Sequence, residues 1–128
     1  MGSPTDRKYL PSHEWAKVDG GRVVIGLSKF AVDELTDITY VELPAVGKQI
    51  TAGQPFGQIE SVKATSDLFA PVSGKVEGVN AKLATEPGAI NADPWADGWM
   101  IAVTPSNPAD LGRLLDSVAY DTQTAEGH

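Results

Sequence analysis

The chain contains no cysteine, which excludes disulfides, thiol nucleophiles and thiolate metal sites. Histidine is scarce: His13 and His128 stand at opposite ends, too far apart in sequence to suggest a zinc-ligand pattern. A serine–histidine–aspartate arrangement would rest on His13 alone, with no nucleophile-elbow sequence beside it, and a structural role is the commoner one for a lone histidine. There is no Walker loop and no GxGxxG segment, so phosphate cradles are excluded. No apolar run approaches the roughly 20 residues of a membrane span, and Met1 to Asp6 lacks the basic and apolar regions of a secretory signal. Basic residues are also few, 10 against 17 acidic, and the net charge of −7 argues against nucleic acid and anionic membranes as partners. The expected location is the cytoplasm, although a processed mitochondrial form would read the same way.

What is present is turn-rich. Thirteen glycines and nine prolines in 128 residues favour short strands over long helices, and the length fits one domain, 1–128. Its core is expected over about 8–120, with flexible ends at 1–7 and 121–128. Trp15 to Val18 and Arg22 to Leu27 read as a hairpin about Asp19-Gly20-Gly21, and Gly26 marks a bulge or a close backbone approach. Ser28 is placed to cap a short helix through Leu35 that buries Phe30, Ala31 and Leu35. Ile38 to Leu43 is extended, with Ile38 and Tyr40 on one face, and Pro44 ends it. Residues 84–97 read as a long loop, and Gly98 to Val103 as a buried strand with Trp99 in the core. Asn107 and Pro108 begin a C-terminal helix whose Leu111, Leu114, Leu115 and Val118 form one apolar stripe. From Thr122 the composition turns polar, as in a mobile tail.

One stretch organises the rest. Glu60-Ser61-Val62-Lys63-Ala64-Thr65-Ser66-Asp67 lies between two apolar extended segments, with Pro55 and Pro71 equally spaced about the lysine. Two strands joined by a tight turn give that pattern, and they put Lys63 at the tip. Most lysines are simply solvated. This one has Ser61, Val62 and Ala64 as small neighbours, over which a modifying enzyme can close. A lysine amine also carries a cofactor as a stable amide on a long stem. Glu60 and Asp67 are better read as solvated turn charges than as an acid–base pair.

Pro11-Ser12-His13-Glu14-Trp15, Tyr40-Val41-Glu42-Leu43-Pro44, the Glu60 to Asp67 segment, Ala70-Pro71-Val72-Ser73-Gly74 and Asp97-Gly98-Trp99 together resemble the glycine cleavage system H protein family. The resemblance covers roughly residues 8 to 120. It implies a mainly β, lipoyl/biotinyl-type flattened barrel (two antiparallel sheets, a barrel-sandwich hybrid) with a short helix in the N-terminal half and a C-terminal helix. It further implies a carrier rather than an enzyme, with lipoate in amide linkage to Lys63 and Glu60, Val62 and Ala64 read by the modifying enzyme. Such a shuttle takes the aminomethyl group of glycine from glycine decarboxylase to aminomethyltransferase, and dihydrolipoamide dehydrogenase reoxidises the dithiol. A lipoate ligase or octanoyltransferase would load it, and a monomer is the expected state. By motif match, Ser12, Glu14 and Asp67 are the candidates for a cleft that receives the loaded arm, where acidic groups could hold a protonated amine.

The chain departs from the family in one region. The family commonly has Gly-Ile-Thr-Asp-x-Ala-Gln and then Leu-Gly-Asp, whereas this sequence reads Gly26-Leu27-Ser28-Lys29-Phe30-Ala31-Val32 and then Leu35-Thr36-Asp37. Lys29 and Val32 are expected to alter the cleft wall or a partner surface. That keeps a second reading open, an H-like protein that relays lipoate to other enzymes. The rival from another class is a small hydrolase or acyltransferase using His13 with Glu14.

Overall fold

Short strands dominate because apolar side chains alternate over brief runs that glycine and proline interrupt. The computed structural model describes residues 3–107 and 109–126. In chain order the strands are β1 (Lys8–Tyr9), β2 (Glu14–Asp19), β3 (Arg22–Leu27), β4 (Ile38–Glu42), β5 (Gln49–Ile50), β6 (Pro55–Ser61), β7 (Thr65–Phe69), β8 (Gly74–Val79) and β9 (Ile101–Pro105). All pairings are antiparallel, in a six-stranded sheet of order β1-β2-β3-β9-β8-β5 and a three-stranded sheet of order β4-β6-β7. This is the mainly β, two-sheet architecture that the resemblance implies.

The principal core joins the two sheets: Ile25, Val76, Ile101 and Val103 from the larger pack in one cluster with Val41, Ile59 and Leu68 from the smaller. A second cluster lies around Tyr9, Trp15 and Tyr120. Gly26 is what admits Trp15, since a Cβ at residue 26 would sit 2.4 Å from the indole ring. The Arg7 guanidinium lies 4.6 Å over the same indole and 5.5 Å from that of Trp95.

Several elements differ from expectation, each for a visible reason. In α1 (Lys29–Leu35) the residue fully buried is Val32; Phe30, Ala31 and Leu35 are only partly covered. A bulge between Ile38 and Tyr40 breaks the alternation of β4, so Ile38 and Val41 point inward and Tyr40 is exposed. The 84–97 segment is not a bare loop: it holds part of α2 (Lys82–Thr85) and all of α3 (Ala89–Ala92). β9 begins at Ile101, and Trp99 is partly exposed against the second cluster instead of in the main core.

The C-terminal helix is broken. α4 (Ala109–Gly112) ends at a glycine, and α5 (Ser117–Glu126) starts afresh where the Asp116 carboxylate accepts the Ala119 N–H at 2.8 Å. The leucines therefore divide, Leu111 and Leu114 against the main core and Leu115 against the second cluster, while Val118 is 73% exposed. α5 continues past Thr122, where a tail is expected, and Asp121 accepts from both the N–H and the hydroxyl of Ser3. Pro108 and His128 lie outside the described residues.

Candidate functional site

β6 and β7 pair as far as Glu60 with Thr65, which leaves Ser61 to Ala64 as the turn. Neither Val62 nor Lys63 has a positive φ, so this is not a glycine-dependent hairpin turn. Its polar groups are satisfied by one serine: Ser61 Oγ accepts the Lys63 N–H at 3.1 Å and the Ala64 N–H at 3.0 Å. The Ser61 N–H in turn donates to the Ala64 carbonyl at 2.8 Å. A serine at residue 61 thus stiffens the tip and leaves Val62, Lys63 and Ala64 exposed. Outside the hairpin, the Val62 N–H donates to the Asp37 carbonyl at 3.1 Å and Lys63 Nζ to the Glu34 carbonyl at 3.3 Å.

Glu34 also lines a cleft of about 260 Å³ bounded by α1, the segment before β2 and the β6–β7 hairpin. Phe30, Ala31 and Leu35 of α1 form part of its wall with Leu27, Ile59 and Leu68. The helix therefore shares its apolar face between the cavity and the core, Ala31 and Leu35 touching both. That is why its amphipathic pattern alone misplaces these residues. Lys29 and Val32 do not line the cleft: Lys29 pairs with Asp33 at 2.8 Å on the exposed side, and Val32 is core.

Ser12, Glu14 and Asp67 all line this cleft. Glu14 is only 1% exposed; its Oε1 accepts from Ser12 Oγ at 2.5 Å and its Oε2 from the Phe69 N–H at 2.8 Å. Burial pushes the Glu14 carboxyl above its ordinary value, and the Phe69 amide and Ser12 hydroxyl pull it partly back. Asp67 is exposed and accepts from Gln58 Nε2 at 3.3 Å. The cleft thus offers methylene-compatible walls together with three acidic residues, Glu14 sheltered and Glu34 and Asp67 open.

His13 also lines the cleft, at a φ of 89°. Its Nδ1 lies 2.6 Å from the Tyr120 hydroxyl, which lies 2.6 Å from Ser28 Oγ, the oxygen that caps α1 by accepting the Ala31 N–H. Tyr120 is fully buried, and desolvation pushes its hydroxyl up to about 12. His13 and Glu14 adjoin in sequence but have distinct partners here, Tyr120 for the imidazole and Ser12 with Phe69 for the carboxylate. Glu60, expected beside the lysine as a recognition residue, pairs across the sheet with both Tyr40 and Thr65. No group of three or more metal-ligating side chains converges among the described residues.

Comparisons with known proteins agree on one family. The family model described as glycine cleavage H-protein matches residues 7–127. A glycine cleavage system H protein of Symbiobacterium thermophilum is 48% identical over 124 residues, covering 97% of each chain. One from Carboxydothermus hydrogenoformans is 52% identical over 118 residues, covering 92% of this chain and 91% of its own. The crystal structure of a glycine cleavage system H protein from Mycobacterium marinum superposes with a TM-score of 0.89 at 38% identity, covering 95% of this chain and 98% of the other.

Proposed function

The chain belongs to the glycine cleavage H-protein family, a family of lipoyl carriers, and from that premise we propose that Lys63 is the residue to which lipoate is joined as an amide. The observation that carries this reading is the Ser61-to-Ala64 turn, which displays Lys63 on a braced tip with small exposed neighbours beside a cleft. Attachment replaces the ammonium by an amide that keeps one N–H, so the bond to the Glu34 carbonyl can persist without the charge. Glu60, Val62 and Ala64 are the neighbours that an attaching enzyme would read. We assign that enzyme as a lipoate ligase or octanoyltransferase.

Lipoate joined to Lys63 would supply a disulfide/dithiol pair able to carry the aminomethyl group of glycine. The chain's own part is to hold, orient and shelter. Leu27, Phe30 and Leu35 exclude water along the cleft, which suits a chain of methylenes. Each oxygen of Glu14 already accepts one bond and has capacity for another, and Asp67 adds a second carboxylate. Together they would hold a protonated amine by charge-assisted hydrogen bonds, with Ser12 fixing the Glu14 carboxylate. No catalytic residue is assigned, since the cleft reads as a shelter rather than a reacting centre. The partners we assign are glycine decarboxylase, aminomethyltransferase and dihydrolipoamide dehydrogenase, and the assigned location is the cytoplasm. No helix among the described residues is long and apolar enough to cross a membrane.

The test is direct. Intact mass after incubation with lipoate ligase, ATP and lipoate should rise by one lipoyl group, and Lys63→Arg should abolish the gain. Reconstitution with the three enzymes should then give glycine-dependent carbon dioxide exchange. Attachment without exchange would overturn the glycine-cleavage partnership and leave only the relay of lipoate.

A further inference from the structure

The corner between α1 and β4 is held in an uncommon way. Thr36 has φ 64° and ψ −142°, a conformation that strains any residue with a Cβ. Asn91, from α3, straddles this corner. Its Nδ2 donates to the Thr36 carbonyl at 2.8 Å and its Oδ1 accepts the Ile38 N–H at 2.9 Å. The residue between, Asp37, turns its own carbonyl to the Val62 N–H at 3.1 Å. The lysine turn therefore leans on a strained backbone corner, and Asn91 is the side chain that bonds both flanks of that corner, beside the Thr36 N–H bond to the Val32 carbonyl and the pairing of Ile38 with Ser61. A carboxamide suits the task because it offers a donor and an acceptor in one plane. Asn91 is otherwise exposed and does not line the cleft.

We propose that Asn91 is a positioning residue for attachment at Lys63: it fixes the 36–38 corner and, through the Asp37 carbonyl, the pose in which the Val62–Lys63 turn meets the attaching enzyme. The proposal rests on Lys63 being the attachment point. Strained backbone persists only where its surroundings over-determine it, and Asn91 supplies two of the bonds that do so. Without it Thr36 can relax to negative φ, the Asp37 carbonyl moves, and the Val62 N–H is released. A loosened turn must be ordered again on each encounter. That cost falls on binding the carrier and not on the acyl transfer that follows.

Initial rates of mass gain are measured with the full unlipoylated chain, lipoate ligase, ATP and lipoate over a range of carrier concentrations. Asn91→Ala is expected to raise KM about fivefold with kcat within about twofold, the scale of a lost hydrogen bond or two. Exchange of the Val62 amide with solvent, read by NMR, should accelerate by a similar factor. Asn91→Asp keeps the acceptor but loses the donor and should give an intermediate effect. Thr36→Gly in the Asn91→Ala background should recover most of the KM, because the corner then has little strain to release. Ser73→Ala, which removes the acceptor of the Ala52 N–H at the other end of β6 and β7, is the stability control and should leave KM unchanged.

An unchanged KM with unchanged Val62 exchange in Asn91→Ala overturns the proposal. A KM rise matched by Ser73→Ala overturns it equally. Failure of the attachment reading shows separately, as a mass gain that survives Lys63→Arg, because the Val62 exchange is read without any lipoate present.

Discussion

The lysine turn and the Glu14 pocket are built by opposite means. At the turn Ser61 takes the Lys63 and Ala64 N–H groups, the Asp37 carbonyl takes that of Val62, and the side chain of Lys63, the proposed attachment point, stands in solvent. At the pocket the Glu14 carboxylate is 1% exposed, bonded through both oxygens, and raised in pKa by its burial. The first arrangement suits a group that another protein must reach. The second suits one that must meet a ligand out of water, where a charge pair counts for more. On the proposed function, reading and sheltering fall to separate parts of one small surface.

Substitutions can break that division, and the largest effect is expected at the tip. Lys63→Arg should lose all lipoyl attachment while its stability stays within about 0.5 kcal/mol of the parent by urea unfolding, since the side chain is exposed. Glu14→Gln should do the reverse: attachment proceeds at the parental rate, but retention of an amine-bearing arm falls about tenfold or more, the scale of a lost charge-assisted hydrogen bond. Equal loss of both properties in either variant would merge the two parts into one.

Glu14→Gln also carries a pH signature. The folded chain binds the Glu14 proton more tightly than the unfolded chain, so this group favours folding most fully below its unfolded pKa. That contribution is lost as pH rises through the raised folded value. Unfolding curves over pH should therefore show the glutamine variant gaining on the parent toward neutral pH and the gap closing in acid. A gap that widens in acid would mean that the carboxylate is stabilised, not strained, by its site.

Thr36→Gly is expected to raise stability by about 1 kcal/mol, because glycine adopts the observed φ without strain. Lys29→Ala should change stability least, by about 0.3–0.5 kcal/mol for an exposed i,i+4 pair, and should leave attachment untouched. An attachment defect in Lys29→Ala would mean that the modifying enzyme reads the exposed side of α1 as well as the tip.

What could be read from the sequence follows the reach of the interactions. The Lys63 hairpin is local, its strands and turn lying within 55–69, and its symmetry is visible in the order of residues. The cleft is not local: the Phe69 amide meets Glu14 across 55 positions, and family resemblance, not spacing, brought Ser12, Glu14 and Asp67 together as candidates. Phe30, Ala31 and Leu35 carry the same apolar signal whether they face a core or a cavity, so α1 was legible as a helix and its use was not. The bulge after Ile38 and the break after Gly112 depend on pairing and capping choices that alternation and leucine spacing do not encode. Asn91 and the Glu34 carbonyl act on or through the main chain, where residue type leaves almost no trace.

The Tyr120 hydroxyl has a bearing on the order in which the molecule is completed. It meets both Ser28 at the start of α1 and His13 in the cleft, so these partners wait for a residue made 92 positions after Ser28. During synthesis the ladder and serine bonds of the lysine hairpin can form as soon as β7 has emerged, but the cleft acquires its support from Tyr120 only with α5. A nascent chain halted between the two would display the proposed attachment point, Lys63, before the cleft proposed to shelter the arm had its Tyr120 support.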